Sequence, residues 1–257
     1  NKVSSPEFLS IYLSDRHNGV GGDGVILICP SDKADAQMRM FNRDGSEGMM
    51  CGNGIRCVAK YLYDTGIAKK PVLRIDTKSG VKECSIMTMN GKAYRITVDM
   101  GAAELAPALV PVKLEGDSIV NKPVVIDGHE YYITCVSMGN PHCAVFTPSV
   151  DKLDLSAIGP KFENNPLFPE RVNVEFIEVV DERTLKVRVW ERGSGETMAC
   201  GTGACAAVVA ATLNGRCMKG EDIRVILKGG DLTVRYTDAR VLMTGGAEKI
   251  FDGVVEV

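Results

Sequence analysis

The sequence lacks the features that mark several large classes of protein. No apolar stretch among its 257 residues approaches the roughly 20 residues that a membrane-spanning helix needs. Nothing at the amino end resembles a signal peptide. Lysine and arginine number 30 against 33 aspartates and glutamates, so no excess of positive charge predicts binding to nucleic acid or to an acidic membrane. We therefore expect a soluble, cytoplasmic protein without nucleic-acid or membrane partners.

Patterns that would hold a metal or a nucleotide are also missing. Only three histidines are present, and the nine cysteines include no pair at the two-residue spacing of zinc sites. Residues 19–24 match the glycine pattern of dinucleotide-binding loops by letters, but they precede a predicted strand instead of opening a helix. We therefore predict no metal and no other cofactor, and we expect reduced thiols.

Short strand-like runs dominate what the sequence does contain. They cover residues 25–29, 36–41, 72–77, 93–99, 124–126, 131–136, 174–179, 185–190, 223–227 and 232–236. Turn residues at 127–130 and 228–231 predict two hairpins, and hence largely antiparallel or mixed sheets. Helical spacing occurs at residues 55–62 and 204–213, and the second of these is apolar on nearly every face, as in a buried helix. The pattern predicts an α+β fold.

One stretch of the chain occurs twice. Residues 38–54 align without a gap on residues 187–203, and the identical pairs are Arg39 and Arg188, Arg43 and Arg192, Glu47 and Glu196, Met49 and Met198, Cys51 and Cys200, Gly52 and Gly201, and Gly54 and Gly203. The offset of 149 residues (200 − 51) exceeds the repeat of a solenoid, about 20 to 50 residues. Two domains of one architecture are expected, with a boundary near residues 99–101.

Each cysteine of the repeat lies just before glycines that open a helix. The unsatisfied N–H groups and the dipole at a helix start favour anions, so we expect a lowered pKa for both thiols and a carboxylate bound beside them, in space that the glycines leave. Two such loops facing each other would place one sulfur on each face of a carbon. One thiolate would remove a proton while the other thiol delivers one, which inverts the stereocentre. A binding module that only holds an anion is the alternative.

Four segments carry a family resemblance: residues 41–57, 139–143, 173–176 and 191–205. They resemble the signatures of the diaminopimelate epimerase family, and the resemblance extends over essentially the whole chain. It implies two pseudo-symmetric, strand-rich, barrel-like domains, each around a central buried helix, with the active site in the cleft between them. Residues 1–99 with a closing strand at 247–257 would form the first domain, and residues 100–246 the second. A homodimer is expected.

The same resemblance implies the roles of individual residues. Cys51 would deprotonate the LL substrate and Cys200 the meso substrate, in a reaction that serves lysine and cell-wall precursor biosynthesis. Backbone N–H groups would bind the carboxylate at the reacting carbon, from Gly52, Asn53, Gly201 and Thr202. The distal amino-acid group would be held by Asn42, Asn140, Asn173, Glu191 and Arg192, whose side chains suit a carboxylate and an ammonium.

Several alternatives remain beside this prediction. Proline and hydroxyproline racemases share the fold, but they usually carry Cys-Gly-His where this chain has Cys51, Gly52 and Asn53, and they lack the pair Glu191 and Arg192. Isomerases of the phenazine-biosynthesis type lack the paired cysteines. His142 is predicted either to act near the cleft or to make a structural hydrogen bond. The other cysteines are expected to be packing residues: Cys29, Cys57, Cys84, Cys135, Cys143, Cys205 and Cys217.

Overall fold

The computed structural model describes residues 3–256 and shows a strand-rich α+β fold, as the sequence predicts. The chain divides into two compact units. The first consists of the chain up to Val98 together with the chain from Gly246 onward, and the second is Asp99–Gly245. Residues 1, 2 and 257 of the predicted first domain lie outside the described residues. No helix within residues 3–256 is long and apolar enough to cross a membrane.

The first unit is a mixed sheet with a helix packed against it. Its elements are α1 (Pro6–Ser14), β1 (Gly24–Cys29), β2 (Ala36–Asn42), β3 (Glu47–Gly48), α2 (Gly52–Asp64), β4 (Val72–Thr77), β5 (Gly80–Met89) and β6 (Lys92–Gly101), whose last residues pass the unit boundary. The strand order is β1-β2-β4-β5-β6, with β3 on β2. Only the β2 and β4 pair is parallel among these described pairings. Helix α2 contacts β2, β4 and β5.

The second unit repeats this arrangement and adds three strands at one side. Its elements are β7 (Lys122–Ile126), β8 (His129–Ser137), β9 (Pro141–Phe146), α3 (Leu155–Glu163), β10 (Asn173–Asp181), β11 (Thr184–Glu191), β12 (Gly195–Glu196), α4 (Gly201–Leu213), β13 (Asp222–Leu227), β14 (Gly230–Tyr236) and β15 (Val241–Gly245). The order is β7-β8-β9-β10-β11-β13-β14-β15, with β12 on β11. Pairs β9–β10 and β11–β13 are parallel. The order β10-β11-β13-β14-β15 corresponds to β1-β2-β4-β5-β6 of the first unit.

An ion pair in each unit fixes the loop between the second strand and the helix. Arg39 Nε on β2 lies 2.8 Å from Glu47 Oε1 on β3, and Arg188 Nε on β11 lies 2.8 Å from Glu196 Oε1 on β12. Strand β2 is thereby held against β3, and β11 against β12, the short strands that lead to the helices. Both members of each pair are identities of the sequence repeat, so the repeat preserves a structural tie as well as the cysteines.

Helices α2 and α4 are the two helices that the sequence predicts; α4 is buried all round, whereas α2 buries one face. Each has 13 residues. In α2 the apolar face of Ile55, Val58, Ala59 and Leu62 is at most 2% exposed. In α4 every residue from 204 to 211 is 0% exposed, because this helix contacts strands of its own unit on several sides. A helix without a polar face is stable only in such a setting.

The ten strand-like runs of the sequence all fall within observed strands, whereas several other elements escaped prediction. The structure adds α1, α3, β3, β5, β9, β12 and β15. Helix α3 contains Gly159 and Pro160, residues that disfavour helices, so its sequence does not reveal it. The first hairpin turn is shorter than predicted: Ile126 pairs with His129, and Asp127 and Gly128 form the whole turn with positive φ angles of 52° and 79°.

Two expectations from the sequence are wrong. The closing strand expected at residues 247–257 is not formed in the described part, because residues 246–256 are largely exposed and pair with no strand. Cys57, expected to pack, is exposed, since it lies on the side of α2 opposite the apolar face. Cys29 is half-buried, and the remaining five packing cysteines are buried. All nine cysteines are free thiols.

Candidate active site

Cys51 and Cys200 are the N-cap residues of α2 and α4. Both have extended backbones, with φ of −128° at Cys51 and −119° at Cys200. Each sulfur accepts a hydrogen bond from the backbone N–H three residues later, Gly54 N to Cys51 Sγ and Gly203 N to Cys200 Sγ, both at 3.4 Å. An N-cap side chain satisfies one of the free N–H groups of the first turn, and that donor favours a thiolate. The two loops therefore present the same chemical group in the same local geometry.

Burial makes Cys200 a weaker acid than the helix start alone would predict. Only 7% of Cys200 is exposed. Burial raises its pKa well above the ordinary value, and the negative charge of Glu191 raises it further, while hydrogen bonds from Thr202 and Gly203 oppose these effects. The predicted lowering of the pKa is thus wrong for Cys200, because loss of hydration outweighs the helix terminus. Cys200 rests as a thiol at neutral pH.

A chain of hydrogen-bonded side chains leads away from Cys200 into the second unit. Thr202 Oγ1 lies 3.4 Å from Cys200 Sγ, and Asn140 Nδ2 lies 3.4 Å from Thr202 Oγ1. Asn140 Oδ1 is 3.0 Å from His142 Nε2, and His142 Nδ1 is 2.7 Å from Glu175 Oε1. Strands β9 and β10 bring these residues together, since they run parallel with residue 142 beside residue 173. His142 thus uses both ring nitrogens and is fully buried.

Glu175 is a residue of this network that the sequence patterns did not single out. It is fully buried, and burial raises its pKa while His142 opposes that effect. Its Oε1 is hydrogen-bonded to His142 Nδ1, whereas its Oε2 has no hydrogen-bond partner. The signal was available: a carboxylate between Val174 and Phe176 in an apolar strand has to be buried and therefore has to find a partner.

Three of the five residues expected to hold the distal group lie in or beside the loop after β11. Asn173 Oδ1 accepts a hydrogen bond from the Arg192 backbone N–H at 2.9 Å. The Arg192 guanidinium donates to the Glu170 carbonyl at 2.9 Å and is half-buried. Glu191 accepts a hydrogen bond from the Thr197 hydroxyl. Asn173, Glu191 and Arg192 therefore lie within one loop system, with the arginine already partly desolvated.

A second buried carboxylate supports the same loop and was also missed. Glu163, at the end of α3, is 6% exposed. Its Oε2 accepts from Trp190 Nε1 at 2.7 Å, and its Oε1 accepts from Gly193 N at 2.8 Å. The two contacts fix residues on either side of Glu191 and Arg192. Sequence alone offered no signal for Glu163, because it lies in a helix that the sequence did not predict.

In the first unit, a buried arginine fixes the start of α2. Arg56 Nη2 donates to Asn53 Oδ1 at 3.0 Å, and Arg56 Nη1 donates to the Gly52 carbonyl at 2.9 Å. Arg56 Nε donates to the Gly246 carbonyl at 3.1 Å, where the chain re-enters the unit. Gly52 and Asn53 are thus held in place from inside the helix, and their N–H groups remain at the helix start.

Asn42 occupies the position in the first unit that Glu191 occupies in the second. Each is the last residue of its strand, β2 or β11. Asn42 is exposed, and its Nδ2 donates to Ser46 Oγ at 3.0 Å within the following turn. The repeat therefore pairs an amide with a carboxylate at equivalent places. Within residues 3–256, no three His, Cys, Asp or Glu side chains are grouped as a metal site would require.

Comparison with known sequences points to one family. The family model described as diaminopimelate epimerase matches residues 2–106 and 134–250. The diaminopimelate epimerase of Acetivibrio thermocellus is 49% identical over 257 residues, covering 99% of this chain and 91% of the relative. That of Desulfovibrio desulfuricans is 52% identical, covering 98% and 90%. That of Methanococcus maripaludis is 45% identical, covering 100% and 92%.

Solved structures with the same fold are more distant in sequence. A probable proline racemase from Agrobacterium radiobacter has a TM-score of 0.70 at 16% identity, covering 98% of this chain and 83% of its own. A hydroxyproline epimerase from Agrobacterium vitis has a TM-score of 0.69 at 15% identity, covering 95% and 78%. A PhzF-family phenazine biosynthesis protein from Bacillus anthracis has a TM-score of 0.63 at 19% identity, covering 88% and 82%. These similarities establish the fold.

Proposed function

The chain belongs to the diaminopimelate epimerase family and is an isomerase, and we propose that it interconverts LL- and meso-2,6-diaminopimelate with Cys51 and Cys200 as its acid and base. One observation carries the assignment of the two cysteines. Both are N-caps of 13-residue helices, and each sulfur accepts the N–H of the residue three positions later at 3.4 Å. A reaction that runs through a nearly planar carbanion suits two equivalent proton-transfer groups. The product serves lysine and cell-wall precursor synthesis.

The proposed reaction moves two protons and uses no other reagent. The thiolate of one cysteine takes the α-proton and becomes a thiol, and the electron pair of the broken C–H bond spreads into the substrate carboxylate. The second thiol then gives its proton to the opposite face and becomes a thiolate. The N–H groups of Gly52, Asn53, Gly201 and Thr202 would bind the carboxylate and stabilise its added charge, since helix starts are preorganised for anions.

The protonation of Cys200 suits one direction of this reaction. In the conversion of LL to meso substrate, Cys51 would be the base and Cys200 the acid. Burial and the neighbouring carboxylate Glu191 raise the pKa of Cys200, which keeps its proton in place. The reverse direction needs the Cys200 thiolate. Hydrogen bonds from the Thr202 hydroxyl and the Gly203 backbone N–H would stabilise that thiolate.

Substrate selection would depend on Arg192. A guanidinium can bind a carboxylate bidentately, and a hydrogen bond to a charged group contributes about 1.5 to 3 kcal/mol. Arg192→Ala is therefore expected to raise KM for diaminopimelate by roughly 10- to 100-fold, with a smaller change in kcat. Arg183→Ala, at an exposed position before β11, is the matched control and should leave KM unchanged. Equal KM values for the Arg192 and Arg183 variants would contradict the assignment.

Proline-type racemisation is the second candidate, because solved racemases and epimerases of that type share the fold. The loop that holds Glu191 and Arg192 favours diaminopimelate, since proline has no distal amino-acid group for these charges to bind. We expect conversion of LL- and meso-diaminopimelate, measured by chiral chromatography, and no turnover of proline. Comparable rates on both substrates would assign the protein to the second candidate.

Catalysis is expected to need no cofactor. The two loops together would supply a base, an acid and a site for carboxylate charge, so the reaction requires no electron sink. Activity should survive dialysis against EDTA and treatment with hydroxylamine, which remove metals and pyridoxal phosphate, and the protein should show no visible absorption band. Iodoacetamide should inactivate it, with protection by a substrate analogue. Loss on dialysis and recovery with a metal ion would refute the proposal.

The location and assembly of the protein follow from the same proposal. The mechanism requires both thiols reduced, and all nine cysteines are free in the structure. We propose that the protein works in the cytoplasm, where thiols are kept reduced. We also propose a homodimer, as the family resemblance implies, which sedimentation equilibrium would test directly.

A further inference from the structure

Five residues of the second unit form one continuous hydrogen-bonded chain that ends at the sulfur of Cys200. In order they are Glu175, His142, Asn140, Thr202 and Cys200, at 2.7, 3.0, 3.4 and 3.4 Å between successive polar atoms. The start of the chain is the most deeply buried part, since Glu175 and His142 are both 0% exposed. The deepest groups are therefore connected to the thiol that is proposed to react.

The atoms of Asn140 give the chain a direction. Its Oδ1 can only accept, so His142 Nε2, 3.0 Å away, must carry a hydrogen. Its Nδ2 can only donate, so Thr202 Oγ1 accepts from it. The single hydroxyl hydrogen of Thr202 is then free to point at Cys200 Sγ, 3.4 Å away, so Thr202 can donate to the sulfur. A donor aimed at the sulfur stabilises the thiolate relative to the thiol.

The other ring nitrogen of His142 determines whether this direction holds. With Nε2 protonated, the 2.7 Å contact between Nδ1 and Glu175 Oε1 needs one further proton, held by either partner. The pair is then neutral overall, whether as carboxylic acid with imidazole or as carboxylate with imidazolium. Loss of that proton would leave a charge on a fully buried carboxylate whose Oε2 has no donor, which is costly. Burial raises the pKa of Glu175, which also favours retention of the proton by the pair.

We propose that Glu175 and His142 form a proton-holding positioning pair, which fixes the orientation of the Asn140 amide and thereby turns the Thr202 hydroxyl toward Cys200 as a hydrogen-bond donor. Without the proton of the pair, His142 would carry its hydrogen on Nδ1, the amide would turn over, and Thr202 would donate to Asn140 instead of to the sulfur. The inference rests on the proposed role of Cys200. It adds Glu175, which touches no substrate, as a residue that acts through others.

Nitrogen NMR of the wild-type protein tests the direction of the chain without any variant. Only three histidines are present, and His17 and His129 are exposed, so the buried His142 can be recognised as the ring whose N–H exchanges most slowly with solvent. We expect ¹⁵N-labelled His142 to carry a hydrogen on Nε2, because Asn140 Oδ1 beside it can only accept. A bare Nε2 with the hydrogen on Nδ1 would mean that the chain runs the opposite way, and the proposal would be wrong.

The far end of the chain is tested by the acidity of Cys200 in the ligand-free protein. The alkylation rate of Cys200 by iodoacetamide, followed by peptide mass spectrometry against pH, gives its pKa. Thr202→Val removes the hydroxyl but keeps the shape of the side chain, and it should raise this pKa by about one unit. The alkylation rate at a pH below the pKa should then be about tenfold lower. Thr202→Ser keeps the hydroxyl and should restore the wild-type value. Equal shifts for both variants would show that the hydroxyl is not the donor.

Glu175→Gln separates positioning from a direct effect of charge, because the two predict opposite signs. Besides Glu175, the charged group that bears on Cys200 is Glu191, which is unchanged in the variant. If Glu175 acted only as a nearby negative charge, its removal would lower the pKa of Cys200. In the proposed chain the pair is already neutral, so glutamine removes only the preference of His142 for Nε2–H. Both orientations of the Asn140 amide are then populated, and in one of them Thr202 no longer donates to Cys200. The alkylation rate of Cys200 therefore falls by about twofold or more.

The double variant completes the test. In Thr202→Val protein, where the last link is absent, Glu175→Gln should no longer lower the alkylation rate. An equal decrease in both backgrounds, or a rise in the single variant, would refute the coupling. These measurements need no turnover, so a negative result leaves the two-thiol reaction intact. Failure of the wild-type protein to invert diaminopimelate would instead refute the proposed function and leave the network measurements valid.

Discussion

Cys51→Ala and Cys200→Ala are each expected to abolish stereoinversion of diaminopimelate, with kcat lowered by at least about 10³-fold. Inversion needs a base on one face of the carbon and an acid on the other, and each cysteine would serve as one of these in either direction. Alanine keeps the N-cap backbone but offers no proton and no thiolate. The rate is measured by chiral chromatography of LL and meso substrate.

Deuterium exchange shows which half of the reaction each variant retains. In heavy water, Cys200→Ala protein still has Cys51 and should exchange the α-proton of LL substrate without inverting it, and Cys51→Ala protein should do the same with the meso form. Cys57→Ala is the matched control, because Cys57 lies on the same helix as Cys51 but is exposed on its far side. It should retain full activity. Inversion by either single-thiol variant at more than a few per cent of the wild-type rate would refute the two-thiol mechanism.

The sequence predicted local features well because their causes are local. An N-cap and the helix that follows it depend on a few consecutive residues, so the sequence alone places Cys51 and Cys200 at helix starts. The apolar runs of the strands likewise carry their own signal. Helix α3 gives no such signal, because its stability derives from burial of residues such as Leu155 and Phe162 and its sequence includes Pro160.

What the sequence did not predict depends on residues far apart in the chain. His142 and Glu175 are 33 positions apart and meet only because β9 and β10 run parallel in one register. The acidity of Cys200 also depends on residues far apart in the chain. A local rule, the dipole of a helix start, predicts a lower pKa, but α4 is buried by strands of its unit and desolvation reverses the sign. Burial is a tertiary property, and a stretch of sequence does not report its extent at a single atom.

The glycines three residues after each cysteine also have a tertiary role. Their sequence pattern indicates only a helix start with space for a carboxylate. A Cβ added at Gly203 would lie 2.7 Å from Glu175 Oε1 and 3.2 Å from the Cβ of Cys200. A Cβ added at Gly54 would lie 2.5 Å from Ile26 Cδ1 and 3.0 Å from the terminal methyl of a methionine in β2. Both added atoms thus point into the protein, so these glycines serve packing.

Gly203→Ala is therefore expected to lower kcat by about 100-fold and to destabilise the fold by about 1 to 3 kcal/mol, the usual cost of overpacking. The added methyl group has to displace Glu175, which is fully buried and tied to His142, or Cys200 itself. Gly54→Ala is the matched control. It introduces the same methyl group at the equivalent helix position, with the same gain in helix propensity of about 1 kcal/mol, but it meets the ends of flexible apolar side chains that can turn away.

Kinetics and thermal unfolding of the two alanine variants, measured side by side, decide whether this asymmetry exists. The Gly54 variant should keep kcat within about tenfold of the wild-type value, since rearranged isoleucine and methionine ends cost little compared with a displaced buried carboxylate. The Gly203 variant should lose both activity and stability. If the two variants lost equal activity, the repeat would be symmetric in its packing demands, and Glu175 would have to be more mobile than its hydrogen bond to His142 indicates.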